Sequence, residues 1–78
     1  MKFAIVFVKR GLYAITEKRY VDSEVKMPYL VYGYIEVVNS GKLGGVVNIN
    51  VDCSRVGSEE LDRLNKEAIV DFTNRWKK

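Results

Sequence analysis

The chain has no histidine, and it has one cysteine, one proline and one tryptophan. Without histidine it lacks the usual general base at neutral pH and the commonest metal ligand. A lone cysteine, Cys53, excludes an internal disulfide. Without a histidine partner it makes neither a structural zinc site nor a Cys–His nucleophile. No apolar run approaches the roughly 20 residues that a membrane-spanning helix needs. Catalysis is therefore the least favoured class, and no cofactor or metal is expected. Asn48, Asn50 and Asp52 resemble a hard-metal set only superficially. On an extended strand their i, i+2 spacing parts the side chains by nearly 7 Å, about 3.3 Å per residue, so a solvated strand face is the better reading. The glycines at 41, 44 and 45 form no phosphate-loop pattern and read as a turn.

What is present is a dense apolar chain. Hydrophobic residues make up 47% of 78 positions, too many for disorder and consistent with one domain spanning 1–78. The net charge of +3 comes entirely from residues 1–57, which hold eight Lys/Arg against five Asp/Glu. The remainder balances at five against five. This mild excess permits nucleic-acid contact without requiring it. The lone cysteine suits a reducing compartment, so a cytoplasmic protein is expected. A virus- or phage-encoded inhibitor or adaptor would fit the same size.

The last third is the clearest element. Leu61, Leu64, Ala68, Ile69, Phe72 and Trp76 fall on one helical arc of roughly 140° at 100° per residue. Ser58 is placed to cap the helix, acids open it, and Arg75, Lys77 and Lys78 close it. Glu59/Arg63, Asp62/Lys66 and Asp71/Arg75 are i, i+4 pairs in the favourable order. Asn65 projects into the apolar arc. Either it is buried and needs a hydrogen-bond partner, or it sits at a rim.

The rest reads as strands. Lys2–Lys9 is apolar on both faces and begins like a signal peptide, but has neither a full apolar region nor a small-residue cleavage site. Lys9-Arg10-Gly11 turns into Leu12–Tyr20, which also resembles a short helix. As a hairpin it sets Phe7 opposite Tyr13, Ile5 opposite Ile15 and Val6 opposite Ala14. Val21–Pro28 is a loop. Tyr29–Val38 is a third strand, Asn39–Gly45 a hairpin loop and Val46–Cys53 a fourth strand. The predicted fold class is α+β: a four-stranded antiparallel sheet (β-β-β-β-α) with one C-terminal amphipathic helix packed on one face.

Three surfaces follow. Pairing the last two strands apolar to apolar sets Ile35 opposite Ile49 and Val37 opposite Val47. Tyr34 then lies opposite Asn50, Tyr32 opposite Asp52 and Glu36 opposite Asn48. Tyr32, Tyr34, Glu36, Asn50 and Asp52 thus make a wet, tyrosine-bearing face suited to protein contact. Phe3, Ile5, Phe7, Tyr13 and Ile15 form a second apolar face that a homodimer would cover, unless the sheet curls to close it. Lys9, Arg10, Lys18, Arg19 and Arg55 are basic strand-end residues that a nucleic-acid backbone would contact. Cys53, sharing a face with Ile49 and Val51, is expected to be buried and inert. A binding module contacting a protein partner or itself is the leading reading, and nucleic-acid binding is the alternative.

Overall fold

The structure is a computed structural model that describes residues 3–18, 30–38 and 45–76. It contains β1 (Phe3–Lys9), β2 (Leu12–Glu17), β3 (Gly33–Val38), β4 (Gly45–Ile49) and one helix, α1 (Ser58–Arg75). The strands form a single open antiparallel sheet in the order β1-β2-β3-β4, with α1 across one face. This is the α+β arrangement expected from the sequence. Arg19, the Val21–Pro28 loop and residues 39–44 lie outside the described residues. No described helix is long and apolar enough to cross a membrane.

The first hairpin pairs as the sequence implies: Ile5 with Ile15, Val6 with Ala14 and Phe7 with Tyr13, until a register shift between Phe7 and Lys9. Gly11 makes the turn at φ +82°, a left-handed conformation that side chains resist. Its carbonyl accepts from Val37 N at 2.8 Å and ties the turn to β3.

The second hairpin differs by one residue. Tyr34 pairs with Ile49, Ile35 with Asn48, Glu36 with Val47 and Val37 with Val46. A slip of one exchanges the two faces of a strand. Val46, not Val47, therefore packs toward the helix. The cause sits at Asn50, whose φ is +55°. Val46 and Val51 are five apart, so a straight strand would place them on opposite faces. The left-handed kink at Asn50 inserts an extra residue and brings both against the core. Beyond the kink the expected apposition returns, with Asp52 N donating to Tyr32 O at 2.7 Å. Gly33 makes the kink possible. At φ +151°, a Cβ there would lie 2.7 Å from Val51 Cα.

The core lies between sheet and helix. Phe3, Tyr13, Ile15, Tyr32, Ile35, Val37 and Val56 meet Leu64 and Ala68, with Ile5, Leu61 and Phe72 packed around them. Fully burying one such side chain stabilises by about 1.5–3 kcal/mol. The expected arc on α1 is the buried one. Its cap differs: Gly57 is the N-cap, without a side-chain bond, and Ser58 is already the first helical residue. The turn before it explains this. Arg55 N and Val56 N both donate to Asp52 O, which buries Val56 and leaves Gly57 extended at the helix entry. Lys66–Asp62 and Arg75–Asp71 pair as expected, whereas Arg63 takes Glu60 and Glu67 rather than Glu59.

Candidate functional site

The proposed tyrosine face divides once the register is known. Tyr32 is 8% exposed and belongs to the core. Its ring meets Phe3 edge-on at 5.2 Å, and its hydroxyl donates to the buried Glu17 carboxylate at 3.1 Å. Asn50 is the kink residue. Asp52 organises a turn: Ser54 donates to it from both backbone and hydroxyl, and Arg55 lies 3.6 Å away. The Ser54 hydroxyl, its amide and the Arg55 charge hold the Asp52 carboxyl below its usual range. Only Tyr34 and Glu36 remain together on the helix-free face.

Their surroundings are more apolar than the sequence implied. Across β4 they meet Ile49 and Val47, not Asn50 and Asn48, and across β2 they meet Ala14 and Leu12. Val8, Val38 and Val47 are exposed on this face, and Val6, Leu12, Tyr34 and Ile49 are half-buried. Thr16 is closed over, its hydroxyl donating to Leu30 O at 2.8 Å. The open part is therefore the end bearing the β1–β2 turn: Val8, Leu12, Tyr34, Glu36, Val38 and Val47. Val47 and Leu12 were missed because the straight-strand register assigned Val47 to the core. Val46-Val47 fits either register equally, and only the asparagine at position 50 hinted at a kink.

The face nominated for a homodimer is instead the one α1 covers. Phe3, Tyr13 and Ile15 are 4% exposed or less, and Ile5 is half-buried. Phe7, at 38%, is the exception. The sequence put the helix over the wrong side of the first hairpin, because β1 is apolar on both sides and carries no polar alternation to choose between them. A polar cluster instead pins the hairpin to the helix. Tyr13 Oη and Arg75 Nε each donate to Asp71 Oδ2 at 2.6 Å. Burial, and then the hydrogen bond to Asp71, push the Tyr13 phenol above its usual range. Burial alone would raise Asp71, but the bonds from Tyr13 and Arg75 outweigh it and hold the carboxyl low.

The basic residues separate into two groups. Lys9 and Arg10 lie at the β1–β2 turn, beside the C-terminal end of α1, where Arg10 sits over Trp76 at 5.2 Å and Arg75 over Phe7 at 4.3 Å. Lys18 and Arg55 lie at the opposite end of the sheet, the six residues of β2 away, about 20 Å at ~3.3 Å each. Arg55 there covers the Tyr32 ring at 5.8 Å. Cys53, expected inside, is exposed in the turn after Asn50, because the kink rotates it off the core face. Asn65 is half-buried, and its Oδ1 is closed off from solvent without a partner among the described residues. No three His, Cys, Asp or Glu among the described residues converge on a cation site.

Comparison with protein-family models, with curated proteins and with solved structures finds no match to this chain.

Proposed function

We propose that the chain is a non-enzymatic binding module that contacts another protein through the helix-free end of its sheet. The observation that carries this reading is the apolar patch of Val8, Leu12, Val38 and Val47 around Tyr34 and Glu36. Contiguous exposed apolar side chains with a polar handle are the composition of a protein interface. The exposed free thiol of Cys53 suits a reducing compartment, so the cytoplasm is the proposed location.

Nucleic-acid binding is the second reading, favoured by Arg10 and Arg75 gathering around Phe7 and Trp76, with Lys9 exposed at the adjoining turn. It is the weaker one. Arg10 and Arg75 already occupy ring faces on which bases would stack, and Lys18 and Arg55 lie at the far end.

The test is capture from native lysate with and without nuclease, comparing wild type with a Tyr34→Ala/Val47→Asp variant whose circular dichroism is unchanged. A protein retained after nuclease and bound at least ~30-fold more weakly by the variant, the loss of about 2 kcal/mol that marks an interface hot spot, supports the proposal. Binding lost to nuclease, or falling with salt at a log–log slope of about −0.7 to −0.9 per phosphate, supports the second reading.

A further inference from the structure

Among the described residues the sheet is open at its sides, and β1 is one of its edges. Two contacts show which backbone groups β1 turns outward. Tyr32 N donates to Ile15 O at 2.8 Å, so Ile15 faces β3 and its partner Ile5 faces away from the sheet. Phe3 faces outward too: its N–H donates to Glu60 Oε2 at 3.2 Å, and its carbonyl accepts from Arg63 Nη2 at 2.7 Å. By the two-residue period, Phe7 follows. The outward groups therefore form a window with two closed ends. Glu60 and Arg63 occupy Phe3, and the register shift after Phe7 ends regular pairing. Both are devices that blunt an edge. Between them stand the N–H and C=O of Ile5 and Phe7, symmetric about Val6.

We propose that this window pairs with the same window of a second copy, antiparallel, about a two-fold axis through Val6. Ile5 of each chain then faces Phe7 of the other, and the two pairs exchange four hydrogen bonds, joining two sheets into one of eight strands. The open edge is satisfied without touching the occupied Phe3. The surroundings agree in charge. The axis sets Phe3 of one copy opposite Lys9 of the other. It thereby brings the Arg10 end of one β1 toward the acidic first turn of the other helix, where Glu59 is exposed. They agree in shape as well. A groove of about 660 Å³ runs between Ile5 and the outer flank of α1, with Lys66, Val70 and Asn74 along its rim. Val70 is 58% exposed, the most of any large hydrophobic among the described residues. It precedes Asp71, which is anchored to Tyr13 beside Phe7, so the axis brings the two Val70 side chains toward each other. Lys66 of one helix and Asn74 of the other close the groove on either side. This surface meets the Tyr34 face only at Val8 and does not depend on what that face contacts.

The decisive experiment is cross-linking. Val6 lies on the axis in a non-hydrogen-bonded pair, with Cβ atoms about 4.5–5.5 Å apart, close enough for a disulfide after small adjustment. Val6→Cys in a Cys53→Ser background is expected to form a covalent dimer on mild oxidation. Val8→Cys in the same background, which faces Ala4 of the other copy, is not. Sedimentation velocity of the wild type from low to high micromolar concentration is expected to show a monomer–dimer equilibrium. The exposed substitution Val70→Glu should weaken it at least tenfold while leaving the fold intact. A chain that stays monomeric throughout leaves the edge to a foreign extended segment and overturns the proposal. Cross-linking of Val8→Cys as readily as Val6→Cys overturns it equally.

Discussion

The two hairpins are built from similar residues and solve the same problem differently. In the first, β1 and β2 pair in the expected register from Phe3 to Phe7, and the shift between Phe7 and Lys9 is confined to the turn end, where Gly11 takes a positive φ. In the second, alternation points to one register and the chain adopts another, because Asn50 adds a residue between Val46 and Val51. The first hairpin is fixed by side chains that reach the helix: Tyr13 to Asp71, and the Phe3 backbone to Glu60 and Arg63. The second is fixed by a backbone crossing, Gly33 beneath Val51. Register held by side chains can be read from their pattern. Register held by a missing side chain cannot.

The largest effect should come from that missing side chain. Gly33→Ala places a methyl 2.7 Å from Val51 Cα and 2.9 Å from its Cγ2, at a φ that L residues resist. The neighbouring atoms are backbone and a branched side chain, so they have little room to yield. We expect a loss on the order of 3 kcal/mol, combining backbone strain with overpacking, read as a lower urea midpoint. The equivalent change in the first hairpin, Gly11→Ala, shares the strain of a positive φ but meets Val37 O at 3.3 Å and Phe72 Cε1 at 3.9 Å, nothing under 3.0 Å, and should cost less. If the two cost the same, the crossing at Gly33 does not set the second register.

A change at the kink itself should have an intermediate effect. Asn50→Val puts a β-branched residue into a left-handed conformation, costing about 1–2 kcal/mol, whereas Asn50→Gly accepts it freely. The pair makes the comparison sharper than either alone. Asn50→Val favours a straight β4 with Val47 turned inward, the register that alternation implies. Hydrogen exchange at Val46 and Val47 would report the switch through exchanged protection. Unaltered protection in Asn50→Val would show that packing of Val46 and Val51, rather than the kink, decides the register.

This is also where the sequence stops being legible. The helix arc, the strand count and their order follow from periodicity, because Leu64, Ala68, Ile35 and Val37 each occupy a position only one face could use, and the first register follows from the short turn at Gly11. The site was half legible. Tyr34 and Glu36 do share an open face, but Tyr32 turns inward and Val47 outward, since Val46-Val47 satisfies both registers and nothing local breaks the tie. The side that α1 covers was not legible at all. Phe3, Ile5 and Phe7 on one side of β1 match Ala4, Val6 and Val8 on the other in polarity, and the choice rests on size. The larger side chains fill the space under the helix.

The smallest effect tests how the first hairpin is held. Tyr13→Phe removes the hydroxyl bonded to Asp71 while keeping the ring that packs under α1 and meets Phe7 edge-on at 5.9 Å. The expected cost is about 1 kcal/mol, that of one hydrogen bond to a charged acceptor partly compensated by Arg75. Its signature is in the pH dependence. The folded Tyr13 phenol titrates above its ordinary value, so its contribution is complete below about pH 10 and fades as pH rises through the folded-state value. Asp71 titrates below its ordinary range, so its contribution is complete above the unfolded carboxylate range and fades as pH falls through the lower folded-state value. Tyr13→Phe should abolish the alkaline limb and shrink the acid one, because Asp71 keeps only Arg75. A stability profile unchanged at both ends would mean that apolar packing alone joins the first hairpin to the helix, and the contrast with the second would then lie in the turns rather than in side-chain anchoring.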